Sequence, residues 1–363
     1  MSNRTKSNRT QSKRSYILLV VLALLGLAVL PAAASAAPRV GAVVFSRAEK
    51  VGGVEEGGLY AVRDGRLNQL TEDPADAEPA FSPDGTVIAF ARGGDLFTVR
   101  PDGSGQRRLT SGSELDSRPI VASNGRYVVF ERRAAEAAPA DLYTVAIGGA
   151  NVHQLTSGGA DDHEASVSPD GRGIVFVRSL AGVGGDANED LFSVRPGGAG
   201  LKRLTRTARI DEFAPRYFAG GILFSRGDDS ETPAAYADVY TMKRTGRVVR
   251  PQVKGVGSAY VEDVSPDGHT LLFRRDQGLW AKRIGPARAH KLTELPDGSQ
   301  TSSVFSSDGR RVAAIVELEE EQRLVSINVA NGASVQLAAG YDLAEGGSEI
   351  GPVIDWQPVP RQR

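Results

Sequence analysis

Carboxylates recur at one kind of position along this 363-residue chain. Asp76 and Glu78, Asp116, Asp162 and Glu164, Asp211 and Glu212, and Glu262 and Asp263 each stand shortly before a short apolar segment. Gathered at one opening, such acids would draw in a cation or a basic peptide segment through their summed field. Dispersed over loops, the same acids would only keep the protein soluble. His163 lies within Asp161-Asp162-His163-Glu164, and imidazole and carboxylates can share a metal, but one histidine beside acids does not make a ligand set. His153, His269 and His290 fall at unrelated places, so neither a metal nor another cofactor is expected. Cysteine is absent, which removes disulfides, thiolate ligands and cysteine nucleophiles together. No G-x-S-x-G elbow occurs, and no nucleophile with its base stands apart, so no catalytic residue is assigned.

Charge narrows the partners. The chain carries 43 Lys and Arg against 44 Asp and Glu, but Arg4, Lys6, Arg9, Lys13 and Arg14 crowd its start. A nucleic-acid binder needs a basic face to neutralise phosphates, and the remaining residues lean acidic, so no nucleic-acid partner is expected. The basic start leads into an apolar stretch, Tyr16 to Leu30, then Pro31 and the A-x-A pattern Ala34-Ser35-Ala36. This reads as a signal peptide over residues 1–36, cleaved after Ala36, the alternative being an uncleaved membrane anchor. The protein is accordingly expected to be exported, periplasmic or extracellular, touching a membrane only through that segment.

The elements that would position the acids are short strands. With 42 Gly and 19 Pro and no long helical pattern after the first forty residues, the composition favours strands joined by turns. One unit recurs, most clearly as EPAFSPDGTVIAFARGGDLFTVRPDGSGQRRLT from Glu78 to Thr110. It divides into four strands: one ending at Phe81, then Val87 to Phe90, Leu96 to Val99 and Gln106 to Leu109. Pro83-Asp84-Gly85 supplies a tight turn. The unit returns as IVASNGRYVVF, SVSPDGRGIVF, DVSPDGHTLLF and VFSSDGRRVAAIV, with a degenerate copy between Phe213 and Val253 where Phe218-Ala219-Gly220-Gly221 replaces the proline turn. Val40 to Thr71 supplies only the last three strands of a unit, and Ile350 to Pro358 matches the missing first strand. Joining the two ends makes a closed ring and removes both open sheet edges. The expectation is an all-β, seven-bladed β-propeller of four-stranded antiparallel blades, forming a single domain over residues 37–363.

The SPDG turn, the D-L-F/Y third strand and the closing L-T resemble the PD40 repeats of TolB-like propellers. The resemblance covers nearly everything after Pro38 and implies the fold. That family spans translocation proteins, propeller domains of oligopeptidase-type peptidases and many exported proteins. Translocation protein TolB joins an α/β domain to six blades, so a Tol–Pal role does not follow for a chain that counts to seven.

In a four-stranded meander, first-to-second and third-to-fourth connections share one face and the others share the opposite face. Long connections at Arg47–Gly58, Arg132–Ala140, Arg178–Glu189, Arg226–Ala237 and Glu317–Gln322 fall on the second face, together with the acids ahead of the innermost strands. That face is the expected binding side. Arg47, Arg92, Arg178 and Arg226 close second strands while Asp95, Asp141, Asp190 and Asp238 open third strands, so these are expected to pair across hairpin ends as scaffold. The function read from this is a binding or interaction module for an envelope or extracellular protein, a peptide or a small ligand. The alternative is a hydrolase or lyase built from carboxylates of the loop-bearing face.

Overall fold

The computed structural model describes residues 41–51, 54–181, 187–207, 210–228, 236–255, 257–295, 302–318, 321–341 and 354–358. The expected signal segment, residues 1–36, lies outside the described residues.

The described chain forms seven antiparallel four-stranded sheets and no helix. The first blade is a composite. Its innermost strand is Ile354–Trp356, followed outward by Val43–Val51, Val54–Arg63 and Arg66–Gln69. The other six innermost strands are Asp76–Phe81, Leu115–Val121, Asp161–Val167, Asp211–Phe218, Ala259–Val264 and Ser303–Phe305. Closure by the C-terminal strand is as the repeat phase predicts. Val43 pairs with Trp356 and Phe45 with Ile354. The Trp356 indole N–H donates to the Gly41 carbonyl at 3.0 Å, and the Gln357 amide donates to Ala42 at 2.7 Å.

The repeat exists because each copy supplies the same buried parts. Phe45, Phe90, Phe130, Phe176, Phe224 and Phe273, at one position of successive second strands, are all at most 1 % exposed. Each lies over an aromatic ring of the third strand, with centroids 5.7 to 6.4 Å apart. In the seventh blade Ile315 opposite Leu324 takes the place of the ring pair. The closing L-T also has a physical role. Thr71, Thr110, Thr156 and Thr205 each accept the amide of the third-strand Leu (Leu59, Leu96, Leu142, Leu191) at 2.8 to 2.9 Å. In the SPDG turns, Ser82 donates to Asp84 at 2.6 Å and Asp84 accepts the Thr86 amide, while Gly85 takes a φ of +68° that a side chain would resist. Ser168 and Asp170, Ser265 and Asp267, and Ser306 and Asp308 repeat the bond.

Two expectations change. The outermost strand of the second blade is only Arg107–Arg108, shorter than the expected Gln106 to Leu109, which leaves little unpaired edge for another chain. In several of the long connections the described residues continue the strand ladder instead of forming loop. Val43–Val51 and Val54–Arg63 stay in register out to Val51 opposite Val54, and Arg311–Leu318 with Glu321–Asn328 to Leu318 opposite Glu321. Ladder pairing satisfies backbone groups that an irregular loop would leave to water. The propeller therefore has an arm face, carrying these hairpin extensions and the connections between blades, and a turn face, carrying the SPDG-type and third-to-fourth turns.

Candidate functional site: an acid-lined central channel

The innermost strands surround a channel of about 740 Å³. Strand alternation alone would keep residues i and i+2, such as Asp76 and Glu78, on one face. A bulge separates them. Glu78, Arg118, Glu164 and Ala214 hold φ of 56°, 50°, 52° and 49°, and the register slips at each. As a result the acid two residues before each bulge (Asp76, Asp116, Asp162, Glu212) turns toward the second strand and the bulge residue (Glu78, Arg118, Glu164, Ala214) lines the channel.

The acids ahead of the bulges are buried in ion pairs. Asp116 takes Arg132 through two bonds of 2.6 and 2.7 Å, and Asp162 takes Arg178 at 2.5 and 2.6 Å. Asp76 takes Arg92 in the same two-pronged way, and Glu212 meets Arg226 at 2.9 Å. Each guanidinium also lies over both blade rings, Arg178 at 5.8 Å from Phe176 and 5.0 Å from Phe192. Of these, Arg92, Arg178 and Arg226 were expected, with Arg47, to pair with Asp95, Asp141, Asp190 and Asp238 across the hairpin. They reach inward instead, because the innermost acid accepts both prongs over the aromatic faces. Asp95 and Asp190 go to Arg108 and Arg203 of the outermost strands, Asp141 to Gln154, and Asp238 accepts the Gly255 amide.

The second acids and their neighbours fasten one blade to the next. Going round the ring, Asp355 accepts the Phe81 amide at 2.6 Å, and Glu78 accepts that of Arg118. Glu131 accepts the Glu164 amide at 2.9 Å, and Glu164 that of Ala214 at 2.6 Å. Ser225 then takes Val261 at 2.9 Å, Asp263 takes Phe305 at 2.8 Å and Ser302 takes Ile354 at 3.3 Å. All seven blade interfaces thus carry a side-chain acceptor on one blade bonded to an innermost-strand amide of the next.

Of the nine acids singled out from sequence, Glu78, Glu164, Glu262 and Asp263 line the channel. Asp76, Asp116, Asp162 and Glu212 are structural partners of arginine, and Asp211 accepts the Glu189 amide at 2.8 Å. The channel wall also holds Glu131, Asp355, Arg118, Arg216 and Arg274, which the sequence reading missed. Three of them were marked by departures from the repeat, Arg274 among them, since it follows Phe273. Glu131 follows Phe130 where the other blades have Ala91, Val177 and Ser225, and Arg118 stands where Glu78 and Glu164 stand.

Amide hydrogen bonds do not cancel a carboxylate's charge, so the wall carries six acids and three arginines. Burial raises Glu78, Glu131 and Asp263 above the ordinary carboxylate range. It pushes Asp355 up to about 7 against the amide bonds from Phe81 and Trp356. Glu262 also rises to about 7 through burial, which its ion pair with Arg274 at 3.6 Å and a 2.9 Å bond from Ser303 only partly oppose. Beside Glu262, Arg274 lies 5.3 Å from the Tyr260 ring, which packs on Phe213 at 5.7 Å. Outside the channel, His163 sits 3.3 Å from Glu189 and 3.5 Å from Asp161. Burial alone would lower its pKa, but the bond to Glu189 and the charges of Glu164 and Glu131 raise it to about 9. Among the described residues, no three His, Asp or Glu side chains are arranged to hold a metal.

No family model and no curated protein matches this sequence. Solved structures do. TolB from Acinetobacter baumannii is 15% identical over 87% of this chain and 82% of its own, with a TM-score of 0.52. The fold is that of a TolB-like β-propeller. Other structures share this TolB-like fold. An oligogalacturonate lyase from Vibrio parahaemolyticus matches at 14% identity, over 84% of this chain and 89% of its own, with a TM-score of 0.56. A puromycin-hydrolyzing peptidase of Mycobacterium tuberculosis matches at 14% over 83% of this chain but 54% of its own, with a TM-score of 0.61. At such identities the likeness concerns architecture, and the function of this TolB-like propeller must be argued from its own channel.

Proposed function

We propose that the protein is an exported binding module whose channel admits a small cation or a basic, extended peptide segment. The channel carries the reading: a cavity of about 740 Å³ whose wall holds twice as many acids as arginines, on a rigid ring of stapled blades. A low-dielectric wall of one prevailing sign concentrates the field along the axis and speeds capture of an oppositely charged ligand. The partner is then an envelope or extracellular protein, peptide or small ligand. Export itself rests on the basic and apolar pattern of residues 1–36.

The test uses conservative variants, because a glutamine oxygen still accepts the staple amide while its charge is gone. Binding of a fluorescent lysine-rich peptide is measured by anisotropy for wild type and for Glu78→Gln with Glu164→Gln. A severalfold weaker affinity in the variant, with unchanged melting, supports the channel. Equal affinity moves the site elsewhere. As Glu262 and Asp355 lose protons, wild-type affinity should also rise from about pH 6 to about pH 8.

One observation favours a second reading. A carboxylate held near 7 beside arginine is poised for general acid–base work, and Glu262 is such a group. The TolB-like fold is shared by a lyase and a peptidase. Turnover of any oligosaccharide or peptide that disappears in Glu262→Gln would favour catalysis over binding.

A further inference from the structure

The turn face has a charge distribution that the overall balance conceals. Three consecutive third-to-fourth connections with the strand residues that flank them, Arg195–Arg203, Lys243–Lys254 and Lys282–Lys291 of the fourth to sixth blades, contain twelve Lys and Arg and no Asp or Glu; of these, Lys282 is buried, Arg203 pairs with Asp190 and Arg244 pairs with Asp170 of the neighbouring SPDG turn. The repeat does not require this: the corresponding stretches of the third and seventh blades, residues 146–154 and 328–336, contain no Lys or Arg. The three connections are contiguous in space. Lys202 donates to the Thr245 carbonyl at 2.8 Å, and the Gly285 amide donates to Gln252 at 2.8 Å. Arg195, Lys202, Lys243, Arg247 and Arg250 are exposed, and Arg283 and Arg288 continue the patch.

Apolar side chains are exposed in the same place. Of seven large apolar residues exposed among the described residues, Val152, Leu201, Val248, Val249 and Val335 stand at third-to-fourth connections, and Leu201, Val248 and Val249 lie among the cations. Val248 is 50 % exposed and also holds a φ of 60°, a conformation that costs a β-branched residue dearly. Neither the core nor the channel uses it. A soluble anion or a nucleic-acid backbone would be met by the cations alone. Cations interleaved with protruding aliphatic tips match a bilayer surface, where charged headgroups overlie acyl chains.

We propose that the turn face of the fourth to sixth blades docks peripherally on an anionic phospholipid bilayer, with Leu201, Val248 and Val249 entering the interface. Docked this way, the propeller holds its arm face, with the hairpin extensions, away from the lipid and open to partners. This contact is separate from any made by residues 1–36.

The cysteine-free chain makes a site-specific test direct. Full-length protein carrying Val249→Cys or, on the opposite face, Glu136→Cys is labelled with an environment-sensitive fluorophore. It is mixed with vesicles of phosphatidylcholine alone or with about 30% phosphatidylglycerol, at low and high salt. The expected result is a blue shift and a roughly twofold or greater rise at position 249 with anionic vesicles only, lost at high salt and absent at position 136. Adding Lys243→Glu and Arg247→Glu should abolish the change at 249. No change at 249, equal changes at both positions, or the same change with a soluble anionic polymer in place of vesicles would overturn the proposal. The last outcome would reassign the face to soluble anions or nucleic acid.

Discussion

Arg178 joins three parts of its blade at once, bonding the buried Asp162 and covering Phe176 and Phe192. Removing it leaves a carboxylate with almost no solvent and no counter-charge. Arg178→Ala should therefore cost about 3–5 kcal/mol in chemical denaturation. An exposed arginine such as Arg195 should cost well under 1 kcal/mol. The recurrence of this arginine was legible in the sequence, and its role as scaffold with it, but not its partner. Asp190 lies opposite Arg178 in the hairpin register, and only the bulge and the aromatic faces decide for Asp162. The channel acids make a different prediction. Glu262 and Asp355 bind protons more tightly folded than unfolded, so their contribution to stability is full below about pH 4 and lost as pH rises through about 7. Melting temperature should fall between about pH 5 and pH 8, and Glu262→Gln with Asp355→Asn should flatten that slope.

At the level of elements, the innermost strands are joined through side chains rather than through a shared ladder. Glu164 accepts the Ala214 amide at 2.6 Å, so Glu164→Ala should cost about 1–3 kcal/mol and speed hydrogen exchange at Ala214. Glu164→Gln should leave both nearly unchanged. Strand number, order and turns could be read from SPDG, from D-L-F/Y and from L-T, because each of those signals is local. The division of the acids into ion pairs and channel wall could not, since it depends on left-handed residues at Glu78, Arg118 and Glu164 that no local pattern announces. The long connections were misread for a related reason. Their polar and small residues look like loop, yet Ala181 still pairs with Ala187.

For the whole molecule, the composition suggested a mildly acidic domain, whereas the fold sorts its charges: acids line the channel and cations gather at the third-to-fourth connections of the fourth to sixth blades. Averages over a sequence carry no information about faces, so the basic patch was invisible until the third-to-fourth turns were placed side by side. Ring closure was legible, because the repeat phase left three strands at one end and one at the other. A chain ending at residue 353 should lose the single cooperative transition in calorimetry, and Trp356→Ala should cost about 3–5 kcal/mol because the indole is buried between the first and last blades. The direction of that closing strand has a mechanical consequence. Val43 sits opposite Trp356 and Phe45 opposite Ile354, so both chain ends leave the pair from the same end. A load applied across the termini pulls the strands apart rung by rung instead of shearing all rungs together. Under tension between its two ends, the propeller will yield first at this zipper of three rungs, before any continuous hairpin is loaded.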